Sequence, residues 1–494
     1  MQLSCRGLLS LPVATSVIAS TLGAFPAQAR QGFAIPSQAD TATICAGPHD
    51  LAEKVPELAP GTMLLLEGGE YDLAEPLRIV DRNGSLSSPI VVRPRGWDES
   101  ENVLMSASDQ VTFKGRAIEL LNCSYLAFQG IVFETDVAED HRVIYMSRCS
   151  HCRITQCTFR PVEAGLAKTE WASWITCKQL SEYGRNQFDR SAFGVKTRNG
   201  ECIMCAGQSY WDGEAKKYGC SREDLIEANY FAGTRTHSHA NTSHVLVGGA
   251  GAPDVGSVVR DNYFEGWDVS STSDLEVIKC GGGGCTFSHN LFKNCRGGLS
   301  FRMGDGNEAM LNVFYWDLPT STLNYDQCVG IIVHGSCHRI HHNHFFNTYW
   351  GIHVCSGNGV AEPDGNCLGV EPRGLHPKVN GCVIQHNSIQ ATRYHVLYGG
   401  YPGRETPYDT HTLQPEGIID QYNSYYGAGN PRGLEIGSPA PTWSVGAEPG
   451  VFNSASDLTA NHTESAHRDV WFGDELDYFE DIKSSAGVRV LAVR

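Results

Sequence analysis

Apolar and polar residues alternate in short runs along most of this chain, and long amphipathic helical stripes are absent. Runs such as Cys123-Ser124-Tyr125-Leu126-Ala127-Phe128, Cys337-His338-Arg339-Ile340-His341 and Cys382-Val383-Ile384-Gln385-His386 have the period of two that sends successive side chains to opposite faces of a strand. Between 61 and 133 three such strands follow one another per turn of chain. An Asn-x-aromatic tripeptide punctuates the pattern at Asn229, Asn262, Asn290, Asn312 and Asn343, with a weaker echo at Asn387, and its intervals are 33, 28, 22, 31 and 44 residues. The shortest interval suits one coil of three short strands and their turns, and the longer ones suit the same coil with a loop extruded from a corner. Stacked coils bury every second residue of each strand and let asparagines at a repeated corner hydrogen-bond in a ladder. The expected fold is therefore all-β, a right-handed parallel β-helix, with the repeated asparagines structural. A β-sandwich would need Asn-Gly or Asp-Gly hairpin turns, which are few.

Composition adds compartment and organisation. A solenoid can use 494 residues in a single body with a continuous core. Residues 1–29 carry Arg6, an apolar run from Leu8 to Ile18 and small residues ending Ala27-Gln28-Ala29, the pattern of a secretory signal peptide. The run is too short and too early for a membrane anchor, and nothing later resembles a spanning helix, so a soluble exported protein is expected. The β-helix is expected over 30–435, interrupted at about 160–225 by an insertion containing Trp171, Trp174, Tyr183, Phe188, Phe193, Tyr210 and Trp211. Such rings either wall a sugar cleft or form a small core of their own. Residues 436–494, where the repeat fades, read as a C-terminal cap. Of 18 cysteines, Cys149-x-x-Cys152 and Cys202-x-x-Cys205 have half-zinc-site spacing, but export favours disulfides or stacked core thiols. Cys355 and Cys367 could staple the polar loop between them. Clustered histidines, His237, His239 and His244 or His338, His341 and His342, fit exposure along a coil better than zinc ligation.

A net charge of −17 argues against nucleic acid as a partner. It would also repel an acidic polysaccharide unless a groove gathers cations locally. One window does so. From Asp274 to Arg302 the chain places Asp274, Glu276, Lys279 and Arg302 around the turn Asn290-Leu291-Phe292. Asp274 and Glu276, two apart on a strand, share a face, and neighbouring carboxylates are stable together when hydrated or bridging a hard cation such as Ca²⁺.

This window resembles the signature of family 6 polysaccharide lyases, which include chondroitinase B and alginate lyases. The acid pair Asp274-Leu275-Glu276, the aliphatics Val277-Ile278, the turn at Asn290 and the block Arg296-Gly297-Gly298-Leu299-Ser300-Phe301-Arg302-Met303-Gly304 all match. Weaker likeness extends over about 40–400. The resemblance implies Ca²⁺ held by the two acids and an upstream asparagine, for which Asn241 is the candidate. It implies a lysine that takes the C5 proton of a uronate and an arginine that serves the departing O4. Arginine stays protonated in proteins, so its role is hydrogen-bond donation to that oxygen. Asn241 also lies in a glycosylation sequon, and a glycan there would exclude the metal. In the family the lysine falls five residues after the second acid, at Gly281 here, whereas Lys279 stands two residues earlier. Either two residues are lost from the strand and restored in Gly281 to Gly284, leaving Lys279 as the base, or the base is absent; the first reading is adopted. Where chondroitinase-like members often carry a histidine this chain has Met303, which favours alginate, or poly-mannuronate, over dermatan or chondroitin sulfate. The expected function is Ca²⁺-assisted β-elimination on an acidic polysaccharide. Its rivals are an inactive carbohydrate-binding β-helix and a glycoside hydrolase using Asp305 and Glu308.

Overall fold

The structure, a computed structural model, describes residues 33–452 apart from 74, 101, 105, 116–117, 136–140, 162–171, 180–181, 196–199, 208–219, 237–242, 253, 270–275, 320–327, 360–375, 401–412, 427–429, 435–441 and 446–449. Its strands stack by parallel pairing with the equivalent strand one coil away. One complete coil consists of Val258–Arg260, Tyr263–Glu265 and Glu276–Gly282; the next consists of Thr286–Ser288, Leu291–Lys293 and Gly298–Phe301. First strands form a 14-stranded sheet, and second and third strands together form a 23-stranded one. The fold is a right-handed parallel β-helix, the hand that parallel crossovers take.

In-register stacking turns the sequence repeat into two ladders. At the corner after the first strand, each asparagine amide donates to the next asparagine's Oδ1: Asn229 to Asn262 at 3.0 Å, Asn262 to Asn290 at 3.0 Å, Asn290 to Asn312 at 2.9 Å, Asn312 to Asn343 at 2.9 Å and Asn343 to Asn387 at 3.0 Å. The ladder continues to Asn423 at 2.9 Å. The residue before each asparagine is left-handed, with φ between 52° and 56° at Ala228, Asp261, His289, Leu311, His342, His386 and Tyr422. None is glycine, so each turn costs about 1–2 kcal/mol, offset by the buried amide bonds. Two residues beyond Asn229, Asn262, Asn290, Asn312 and Asn343, and beyond Ser191 one coil earlier, an aromatic points inward. Phe193, Phe231, Phe264, Phe292, Phe314 and Phe345 stack at 4.6–5.1 Å between ring centres.

A second polar ladder, which no repeated residue type announces, follows the corner before the first strand. Asn186 Oδ1 accepts from the Cys152 amide, Asp224 Oδ1 from Asn186, Ser257 Oγ from Asp224, Asn307 Oδ1 from Cys285 and His338 Nδ1 from Asn307, at 2.9–3.2 Å.

Several expectations change here. Trp174, Phe188 and Phe193 are core residues, and five strands between Ala172 and Glu227 continue the stack. The described aromatics of that stretch other than Tyr183 therefore fill the solenoid instead of walling a cleft; Trp171, Tyr210 and Trp211 lie outside the described residues. Thr442–Val445 and Gly450–Phe452 extend both sheets beyond 435. Cys149, Cys152, Cys202, Cys205 and Cys355 are buried and in no disulfide, so Cys355 does not staple the loop to Cys367. Cys337 is disulfide-bonded. Among the described residues no helix is long and apolar enough to cross a membrane.

Candidate active site

Four stacked third strands carry the site: Val245–Ala252, Glu276–Gly282, Gly298–Phe301 and Val329–Val333. Two rows point into the core, Val245-Ile278-Leu299-Ile331 and Val247-Cys280-Phe301-Val333, and between them Leu246, Lys279, Ser300 and Ile332 form an outward row. Period two alone would put Glu276 and Lys279, three apart, on opposite faces. A bulge prevents this. Glu276 pairs with Gly298 and Ile278 with Leu299, so two steps of one strand oppose one step of its neighbour. Val277 and Ile278 are both fully buried in the core, and Glu276 emerges on the same side as Lys279. Gly298 is required opposite the bulge, because a Cβ there would lie 2.0 Å from the Gly330 carbonyl oxygen.

Three predicted site residues meet around one carboxylate. Glu276 Oε2 lies 3.0 Å from Lys279 Nζ and 3.2 Å from Arg302 Nη1, the lysine contact lying off the line of a hydrogen bond. Oε1 accepts from Ser300 Oγ at 2.8 Å. The Glu276 and Lys279 side chains are 10% and 6% exposed, whereas that of Arg302 is 23% exposed, so the guanidinium is the part of the cluster most open to solvent. Burial on its own would raise the Glu276 pKa. The charges of Lys279 and Arg302 outweigh it and, with the close Lys279 contact and the bond from Ser300, hold the group at about 2, so it is an anion at any working pH.

The place that the family spacing assigns to the lysine is Gly281, the next outward position beyond Lys279. A Cβ there would come within 3.3 Å of Gly249 Cα and 3.4 Å of the Gly248 oxygen, where the preceding coil breaks register between Val247 and Ala252. The backbone of one coil thus crowds a side chain at 281. Lys279 sits one outward position nearer the acid.

The other two predicted ligands, Asn241 and Asp274, lie outside the described residues. Glu276 itself fits a cation site in part: a carboxylate offers about four lone-pair positions, of which the contacts above use three. Among the described residues no group of three His, Cys, Asp or Glu side chains is arranged to hold a metal. The hydrolase candidates are tied up elsewhere. Asp305 Oδ1 accepts from the Ser336 amide at 2.6 Å, and Glu308 pairs with His341 at 3.0 Å and Arg339 at 3.2 Å. Ser300 was not among the candidates drawn from the sequence, although it is two residues before Arg302 and therefore on its face.

The cluster thus sets two cations against one ionised carboxylate on the outward face of a parallel β-helix. No curated protein matches the chain in sequence. Among solved structures, a mannuronic acid specific family 6 lyase from the human gut microbiota is 16% identical with a TM-score of 0.62, covering 92% of this chain and 100% of that one. A family 6 polysaccharide lyase from Pseudopedobacter saltans is 14% identical, TM-score 0.62, covering 85% and 94%. The alginate lyase AlyGC is 19% identical, TM-score 0.58, covering 82% of this chain but 53% of its own. These likenesses establish the fold. The chondroitinase B family profile matches residues 46–393, and on that match the chain belongs to the chondroitinase B family of polysaccharide lyases.

Proposed function

We propose that this lyase cleaves a uronate polysaccharide by β-elimination, with alginate, and poly-mannuronate within it, ahead of dermatan or chondroitin sulfate. The carrying observation is the convergence of Lys279 and Arg302 on Glu276. In the reaction Lys279 takes the C5 proton. The C5 electron pair becomes the C4–C5 double bond as the C4–O4 bond breaks, and Arg302 donates a hydrogen bond to the departing oxygen. Glu276 orients both cations. Ca²⁺, held by Glu276 with Asp274 and Asn241, would neutralise the uronate carboxylate and so make the C5 proton more acidic. The alginate preference is supported by Met303, and by the mannuronic acid specificity named for the gut-microbial structure of the same fold. Export through the leader at 1–29 would bring the enzyme to its polymer.

The test is incubation of the full-length mature protein with alginate, poly-mannuronate, dermatan sulfate and pectate, with Ca²⁺ or with a chelator. The readout is ultraviolet absorbance from the new double bond. Absorbance on alginate that falls on chelation is the expected result. Reducing ends without absorbance would point to hydrolysis, and no product on any polymer would sink the lyase reading in favour of a binding protein.

A further inference from the structure

The structure assigns Ser300 as a positioning residue of this site: its hydroxyl fixes the Glu276 carboxylate, and through it the relative placement of Lys279 and Arg302. The inference rests on the lyase reading above and goes beyond it, since no motif singles out this serine. Ser300 is fully buried in an outward row whose neighbours on either side are Lys279 and Ile332. A buried hydroxyl is retained at a cost unless it is bonded, and here Oγ donates to Glu276 Oε1 at 2.8 Å. Arg302 and Lys279 both meet the other oxygen, Oε2. Without Ser300 no donor among the described residues remains on Oε1, and the carboxylate can turn about its last torsion, carrying Oε2 away from the geometry that spaces the two cations. With no exposed surface of its own, Ser300 acts on the reaction through Glu276 and not by touching a sugar.

The experiment is a double-mutant cycle on the full-length mature protein with Ser300→Ala and Glu276→Gln, read by steady-state kinetics on alginate and by thermal midpoint. The expected result is a loss of roughly tenfold in kcat for Ser300→Ala, as for a hydrogen bond to a charged group, with KM changed less than about twofold. Ser300→Thr, which keeps the hydroxyl, should restore most of it. In the Glu276→Gln background the serine substitution should cost less than about twofold more, because the anion it serves is gone. Losses that multiply in full, or a loss confined to KM, would overturn the assignment. If wild type cleaves no uronate polymer the lyase reading fails on its own. The midpoint cycle then still decides the pairing: coupled shifts uphold a Ser300–Glu276 unit, and additive shifts refute it.

Discussion

Glu276→Gln removes the one negative charge to which two cations point while keeping the shape of the side chain. Its consequence for stability follows from the ionisation of Glu276. The group is held at about 2 against its ordinary 4.5, which corresponds to about 3 kcal/mol at about 1.4 kcal/mol for each tenfold change in proton affinity. Because the folded-state value is the lower one, this stabilisation is present in full above about 4.5. It declines as pH falls and is gone below about 2, with less than half left near pH 3. In Glu276→Gln the Lys279 ammonium keeps its burial and loses its counter-charge, the circumstance in which removing one partner costs about 3–5 kcal/mol. Spread over an unfolding entropy of about 2.1 cal/mol/K per residue, a deficit of about 3 kcal/mol lowers the thermal midpoint of a domain of this length by about 3 °C. Differential scanning calorimetry of both proteins at pH 7 and pH 3 measures it: the expected gap is largest at neutral pH and at least halved in acid. Midpoints within about 1 °C at pH 7, or a gap that does not narrow at pH 3, would refute the pairing as the source of the stabilisation.

Three further outcomes are expected. Lys279→Ala should lower kcat on alginate by at least about 100-fold, the contribution of a general base, and full retention of turnover would place the base elsewhere. Asn290→Ala should lower the thermal midpoint markedly, because the Asn262 backbone and amide donors both bond to Asn290 Oδ1 and each buried donor left unsatisfied costs about 1–3 kcal/mol; Leu311→Ala, one ladder step away at a half-buried corner, serves as the control and should cost less. His338 and His353 are pushed down to about 4 by burial, so the stability they contribute is complete above about 6.5 and is lost as pH falls towards 4. A midpoint scan over that range should slope downward, and His338→Asn, whose amide oxygen can replace Nδ1 as acceptor for Asn307, should flatten part of it.

What could be read from the sequence was what a single residue type repeats. The asparagine corner is such a feature, because each position makes the same two bonds to its neighbour and only an amide makes both. The second ladder has the same geometry but is built from Asn186, Asp224, Ser257, Asn307 and His338. Any acceptor of suitable length serves there, so no pattern survives in the letters. The aromatics at Trp174, Phe188 and Phe193 were ambiguous for a related reason: an inward ring of the solenoid and an outward ring of a cleft differ only in which face of a strand they occupy. At the site, the residue types pointed to Glu276, Lys279 and Arg302, but the face on which Lys279 stands was hidden. It depends on where Glu276 pairs with Gly298, a property of the neighbouring coil that the local sequence does not carry.

The bulge at Glu276 has a consequence for recognising sites of this kind. Past it, odd separations from the acid fall on the outward face of the strand and even ones enter the core, as Lys279 and Cys280 do in turn. A lysine two residues further along would keep to the acid's face wherever the neighbouring coil leaves it room, but a shift of one would drown it among Ile278, Cys280 and Phe301. The quantity preserved across such enzymes would then be parity and not distance. A search that fixes the separation at five discards this chain, whereas one that accepts three or five and rejects four retains it.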